Sequence, residues 1–189
     1  MSGRTGLFVA VFCMASAATV GRAADQVTSY TAVPPASRLD FMGVQAGAEF
    51  KGTFHKFTAA VNFAPDALAN SHFDVQIDLN SLDTMDSDRD TTMRGKDIFD
   101  VAHFSTARYV ATGVTKTATG YSAAGTLTLH GVAKVVPINF VFVPAPGGAK
   151  LEGTAKLDRL QFGVGQGDWK STDQVEDGVK VAFSLLLKP

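Results

Sequence analysis

Apolar and polar residues alternate along most of this chain with a period of two, the repeat of a strand that buries one face. Phe73, Val75, Ile77 and Leu79 alternate with His72, Asp74, Gln76 and Asp78. Val179, Val181, Phe183, Leu185 and Leu187 keep the same period near the C-terminus. Further runs cover 39–45, 50–63, 107–114, 121–129, 135–143 and 151–162, separated by turns rich in Gly or Pro such as 144–148. About eight strands with short links predict an antiparallel meander. A flat sheet of that size would expose one apolar face. The pattern therefore predicts closure into a single extended antiparallel β-barrel, all-β in class.

Two stretches depart from the alternation. Residues 86–99 are polar and open with good N-capping types, so a short helix is expected over 88–95 with Asp88 or Asp90 as its cap. Ile98 and Phe99 should then fold back onto the barrel. The run 50–63 is long for one strand, and its apolar parity shifts between Phe54 and Phe57. That shift predicts a bulge bending the strand around the barrel.

The N-terminus changes the picture of where such a barrel works. Arg4 supplies a positive start, Leu7 to Ala18 form an apolar segment too short to span a bilayer, and Gly21-Arg22-Ala23 offers small residues for a signal peptidase. Residues 1–23 read as a cleavable leader, cut after Ala23, with the periplasm as destination. Bulky Phe12 before Cys13 argues against a lipoprotein box. Cys13 is the single cysteine, so the mature chain has no thiol for disulfides, redox chemistry or metal binding. Residues 24–189 form one domain with a hydrophobic core. Loss of Arg4 and Arg22 leaves 15 basic against 18 acidic residues. The charges are scattered, which excludes a basic stripe for nucleic acid.

Aromatic usage is lopsided, with 14 Phe against 3 Tyr and 1 Trp. Phe rings fill space without a polar atom that needs a partner. They can pack a core, or they can line a cavity, since an eight-stranded barrel either fills its lumen or holds one slender ligand. Small residues such as Ala59, Gly125, Gly153 and Ala155 leave room beside the rings. Composition does not choose between the two. The strand registers place Phe41, Val75, Ile77, Leu127, Leu129, Phe140, Phe142, Val181 and Phe183 on inward faces.

Several motifs in order carry a resemblance. Gly125-Thr126-Leu127-Thr128-Leu129-His130-Gly131-Val132-Ala133-Lys134 resembles the central hairpin of the YceI-like family. Phe50-Lys51-Gly52-Thr53-Phe54 is similar to its Phe-x-Gly-x-Phe, and Arg89-Asp90 to the Arg-Asp that opens its helix. Asp97-Ile98-Phe99-Asp100-Val101 and Asp158-Arg159-Leu160-Gln161-Phe162-Gly163 match later motifs. The run 163–169 resembles a subgroup with Gly-x-Gly-x-Trp. The resemblance spans Tyr30 to Leu187. It implies a lipocalin-like barrel whose apolar tunnel binds a long isoprenoid lipid, of polyprenyl or isoprenoid-quinone type, with no other cofactor. A membrane protein for lipid exchange and a second copy of the chain are the partners it leaves open. Two positions depart: Ala36-Ser37 stands where many members have His-Ser, and Ile98 where they have Phe.

Polar candidates are few. His55, His72, His103 and His130 show no spacing of a metal set, and surface or turn positions explain them. Arg89 and Asp90 either cap and anchor the helix or, with Arg94, place charge at a tunnel mouth near a lipid head group. Trp169 either closes a Gly-rich turn or sits at that mouth. The Gly-rich run lacks the Lys-Ser/Thr of a phosphate loop. Three functions follow: a periplasmic isoprenoid carrier, which the resemblance favours; an enzyme on an isoprenoid lipid or quinone; and a ligand-free, stress-related structural barrel. No nucleophile stands beside a base and no Gly-x-Ser-x-Gly occurs, which weighs against the enzyme.

Overall fold

A computed structural model describes residues 27–189; the leader read over 1–23 lies outside them. Twelve strands form one sheet that closes on itself. They are β1 (Thr28–Ala32), β2 (Arg38–Gln45), β3 (Ala48–Phe54), β4 (Phe57–Phe63), β5 (His72–Asp78), β6 (Leu82–Asp83) and β7 (Thr106–Thr112), then β8 (Thr115–Lys116), β9 (Tyr121–Leu129), β10 (Val132–Ala145), β11 (Gly148–Asp158) and β12 (Gly178–Lys188). All pairings are antiparallel. The ring has eight stations because β1 and β2 share one and β3 and β4 share the next. β12 pairs with β2 through Val181↔Phe41 and with β1 through Ala32↔Leu187, and this double pairing is the seam.

The parity shift at 54–57 is a full interruption where a bulge is the sequence expectation. His55 and Lys56 leave the ladder because Ser81 takes both of their N–H groups, at 3.2 Å on its carbonyl and 2.9 Å on its hydroxyl. The β9–β10 hairpin turns on His130 (φ 51°) and Gly131 (φ 75°), the mirror-image turn that suits the twist of paired strands.

Helix α1 (Ser87–Arg94) is one residue displaced from the expected span. Its cap is Asp86, whose carboxylate accepts from the N–H groups of Asp88 (3.1 Å) and Arg89 (3.0 Å). Asp88 and Asp90 do not cap it. Asp90 instead accepts from the Thr84 N–H (2.9 Å) and hydroxyl (2.6 Å), tying the helix to β6. Phe99 is buried below the helix and Ile98 packs beside it.

Inside the barrel, two rings lie close against glycines of neighbouring strands. A Cβ on Gly125 would collide with the Tyr109 ring, and one on Gly153 with Phe183. The buried Tyr109 hydroxyl accepts from the Gly125 N–H at 2.9 Å, with carbonyls of Val136 (3.1 Å) and Ala123 (3.2 Å) in reach of its proton. Burial pushes its pKa up to about 12.

Two expectations follow. Tyr109→Phe orphans a buried N–H and should cost about 1–3 kcal/mol. Because the folded pKa lies above the ordinary 10.0, the stabilisation is complete below pH 10 and fades as pH rises toward about 12. The gap between wild type and Tyr109→Phe in urea unfolding should narrow across that window. Arg159, 6% exposed, donates to the carbonyls of Glu176 (3.1 Å), Val164 (2.9 Å) and Val175 (2.7 Å). Arg159→Met should lower stability by about 2 kcal/mol and speed amide exchange over 163–176.

Candidate functional site

The inward faces of the strands change character along the barrel axis. On β12, Leu187 and Leu185 are 0% and 6% exposed, whereas Phe183, Val181 and Val179 are only half-buried although they point the same way. On β5, Phe73 is 3% exposed while Val75 and Ile77 are half-buried. Inward side chains that keep accessible surface line a space rather than fill it. That space is a cavity of about 530 Å³, within the usual size of small-molecule sites.

One end of the cavity is a floor of aromatic rings. Phe63 packs against Phe142 (4.7 Å between centroids), Tyr121 (5.0 Å) and Phe140 (5.7 Å), and Phe73 meets Phe140 at 5.4 Å. Tyr30 closes on Phe142 at 5.6 Å, edge to face. Phe140 and Phe142 therefore belong to the plug beneath the cavity and do not line it. Among the other residues assigned inward, Phe41, Val75, Ile77, Leu127, Leu129, Val181 and Phe183 all line the walls.

The mouth lies at the opposite end, between α1 and the segment 163–176. Arg89, Asp86, Asp88 and Thr92 reach it from the helix, and Arg159, Gly165, Trp169 and Glu176 from the other side. Asp86 faces the Arg89 guanidinium at 3.5 Å. The backbone N–H of Arg89, then its guanidinium and the N–H of Asp88, hold the Asp86 carboxyl below the usual range. Arg89 also lies over the Phe50 ring, 4.8 Å from its centroid. Arg94 does not reach the mouth; it donates to the carbonyls of Asn80 and Leu82 and fastens α1 to the barrel. Trp169 sits in a 3₁₀ turn (Gly167–Lys170) at the rim, half-buried.

The histidines stand away from this cavity. His55 pairs with Asp83 (3.1 Å) and His103 with Asp100 (2.9 Å) on the outside, and His130 packs on Phe104. Among the described residues, no group of three His, Cys, Asp or Glu is placed to hold a metal. Arg159, like Asp86, Thr92 and Glu176, is a mouth residue that pattern reading does not single out. Its signal was present as the Arg of Arg-x-x-Phe-Gly, but burial among three carbonyls depends on the fold of the 163–176 segment.

The architecture has close relatives of known shape. BcnA of Burkholderia cenocepacia superposes with a TM-score of 0.78 at 29% identity, over 82% of this chain and 98% of that one. A polyisoprenoid-binding domain from Saccharophagus degradans superposes at 0.63 and 18% identity, over 84% of this chain and 97% of its own, and so shares the fold. A UPF0312 protein of Vibrio cholerae is 33% identical over 143 residues, 67% of this chain and 76% of that protein. The model of the YceI-like domain matches residues 30–187, and with the closed barrel, the helix α1 and the hairpin motif this chain belongs to the YceI-like family.

Proposed function

We propose that this protein is an exported carrier that holds the tail of an isoprenoid lipid, of polyprenyl or isoprenoid-quinone type, in the barrel cavity. The observation that carries the reading is the half of the lumen whose apolar walls remain unfilled, from Phe41 and Val181 up to Leu129 and Ile77. The membership of the family and the polyisoprenoid-binding description of the Saccharophagus domain support an isoprenoid as the occupant. The placement of the histidines outside the cavity supports binding over catalysis. A cleavable leader over 1–23 supports a periplasmic site of action, where a lipid needs shielding from water between membranes.

Energetics restrict how such a carrier works. At about 0.8 kcal/mol for each buried methylene, a long chain moved from water would nominally exceed any real affinity. In a membrane, however, the tail is already out of water. Net extraction then rests on a small surplus from packing and head-group contacts. Slow, partner-assisted loading and firm retention in water are the consequences, and a membrane protein for exchange fits them.

Two experiments test the reading. N-terminal sequencing of protein recovered from the periplasm should begin at Ala24, with no titratable thiol; a retained or lipidated Cys13 would overturn the address. Purified protein should release a lipid in about equal amount into organic solvent, identified by mass spectrometry. Leu129→Trp and Val181→Trp should remove that lipid by volume while leaving the unfolding midpoint of the delipidated protein near wild type. A filled interior would instead lose about 1–3 kcal/mol on such overpacking, and that result without lipid in the wild type would favour a structural barrel.

A further inference from the structure

The pieces that frame the mouth are not held equally. Helix α1 is tied to the barrel through Thr84, Asn80 and Leu82. Across from it the chain is fixed at two points. The Gln166 N–H donates to the Asp97 carbonyl at 2.6 Å, and the Ala46 N–H donates to the Gln174 carbonyl at 2.9 Å. Val175 follows at once and pairs with Gln45 in an isolated bridge. Between the two points, residues 167–173 make no hydrogen bond to the barrel or to α1 among the described residues. Their bonds are local: the Trp169 N–H to the Gln166 carbonyl, the Asp173 N–H to the Ser171 hydroxyl, and the Val175 N–H to the Ser171 carbonyl.

The side chains follow the same division. Every residue of this arc is exposed except Trp169, which is half-buried and is the member of the arc that lines the cavity. Gly167 begins the arc at a φ of 57°, with nothing within 4 Å of the place a Cβ would take, so the backbone is free to turn there. A segment with only local hydrogen bonds and one packed side chain opens more readily than the sheet around it. The indole is then the latch. We infer that residues 167–173 form a lid on the cavity mouth, hinged at Gly167 and Gln174 and held shut by Trp169, whose opening sets the rate at which a tail enters and leaves. This rests on the reading of the cavity as an isoprenoid site. Slow loading and firm retention then share one barrier, crossed in both directions.

A latch and a wall leave different kinetic marks. Loss of a wall contact weakens only the bound state, so release quickens and loading does not. Loss of a latch quickens both. The test follows transfer from phosphatidylcholine vesicles to the lipid-free mature protein, and from loaded protein to empty vesicles. The lipids are an isoprenoid quinone and a headless isoprenoid hydrocarbon of equal tail length. Trp169→Ala should load and release each about tenfold faster than wild type, the gain from freeing a half-buried aromatic, with Trp169→Phe in between. The melting temperature of the lipid-free variants should match wild type, since the sheet makes no bond to the arc. Faster release with loading at the wild-type rate puts Trp169 in the wall and overturns the lid. The wild type supplies a second check without any variant. Its loading rate should level off as vesicles are added, at the same ceiling for both lipids, because opening belongs to the protein. A ceiling that differs between them places the barrier in the lipid's departure from the membrane and also overturns the lid. If neither lipid loads at all, the isoprenoid reading itself falls, a result distinct from loading without a gate.

Discussion

Ring closure is the constraint from which the other features follow. Eight antiparallel stations pair around the barrel, and the seam succeeds only because one long strand, β12, accepts β1 and β2 end to end. Closure removes the exposed edges that a sheet of this size would otherwise present. It also sets the width of the lumen through strand number and tilt, before any inward side chain is chosen. The side chains then decide how much of that volume is protein. At the floor, six rings from β1, β4, β5, β9 and β10 fill it. Above them the inward residues are aliphatic side chains and rings, several of the rings set close over glycines, and a cavity of about 530 Å³ remains.

Glycine has a specific part in that division. Gly125 and Gly153 let Tyr109 and Phe183 lie across a neighbouring strand rather than reach to the barrel axis. The rings thus become wall instead of plug. Tyr109 carries a polar atom into this apolar region, and its hydroxyl is satisfied by the backbone on both sides. An aromatic can line such a cavity at little cost when its single polar atom is so placed.

The mouth is organised by polar contacts, not by packing alone. Asp90 and Arg94 fasten α1 to β6 and its approach through Thr84, Leu82 and Asn80. Arg159 gathers three carbonyls of the segment across from it, with Gly165 at a positive φ of 88° where a Cβ would strike the guanidinium. The cavity opening is therefore framed by two separately anchored pieces. Arg89 is the cation between them, set over the Phe50 ring with Asp86 at 3.5 Å.

Much of this was legible in the chain itself. Period-two alternation names the strands and their inward faces because each strand meets only two environments. Polar residues at 86–95 mark a helix for a similarly local reason, and the family motifs are local too. What alternation could not separate is wall from plug: Phe140 and Phe142 share a register with Ile138 and Val136, yet the first pair closes the floor and the second lines the cavity. Position along the barrel axis depends on stagger between strands distant in sequence. The same holds for the break at His55-Lys56, which exists because Ser81 lies alongside, and for the cap at Asp86, which depends on where the chain leaves β6. The sequence by itself determined which residues turn inward and that the sheet must close. Only the tertiary structure decided which of those residues meet one another, because contact across a barrel is set by the register of strands that are not neighbours in the chain.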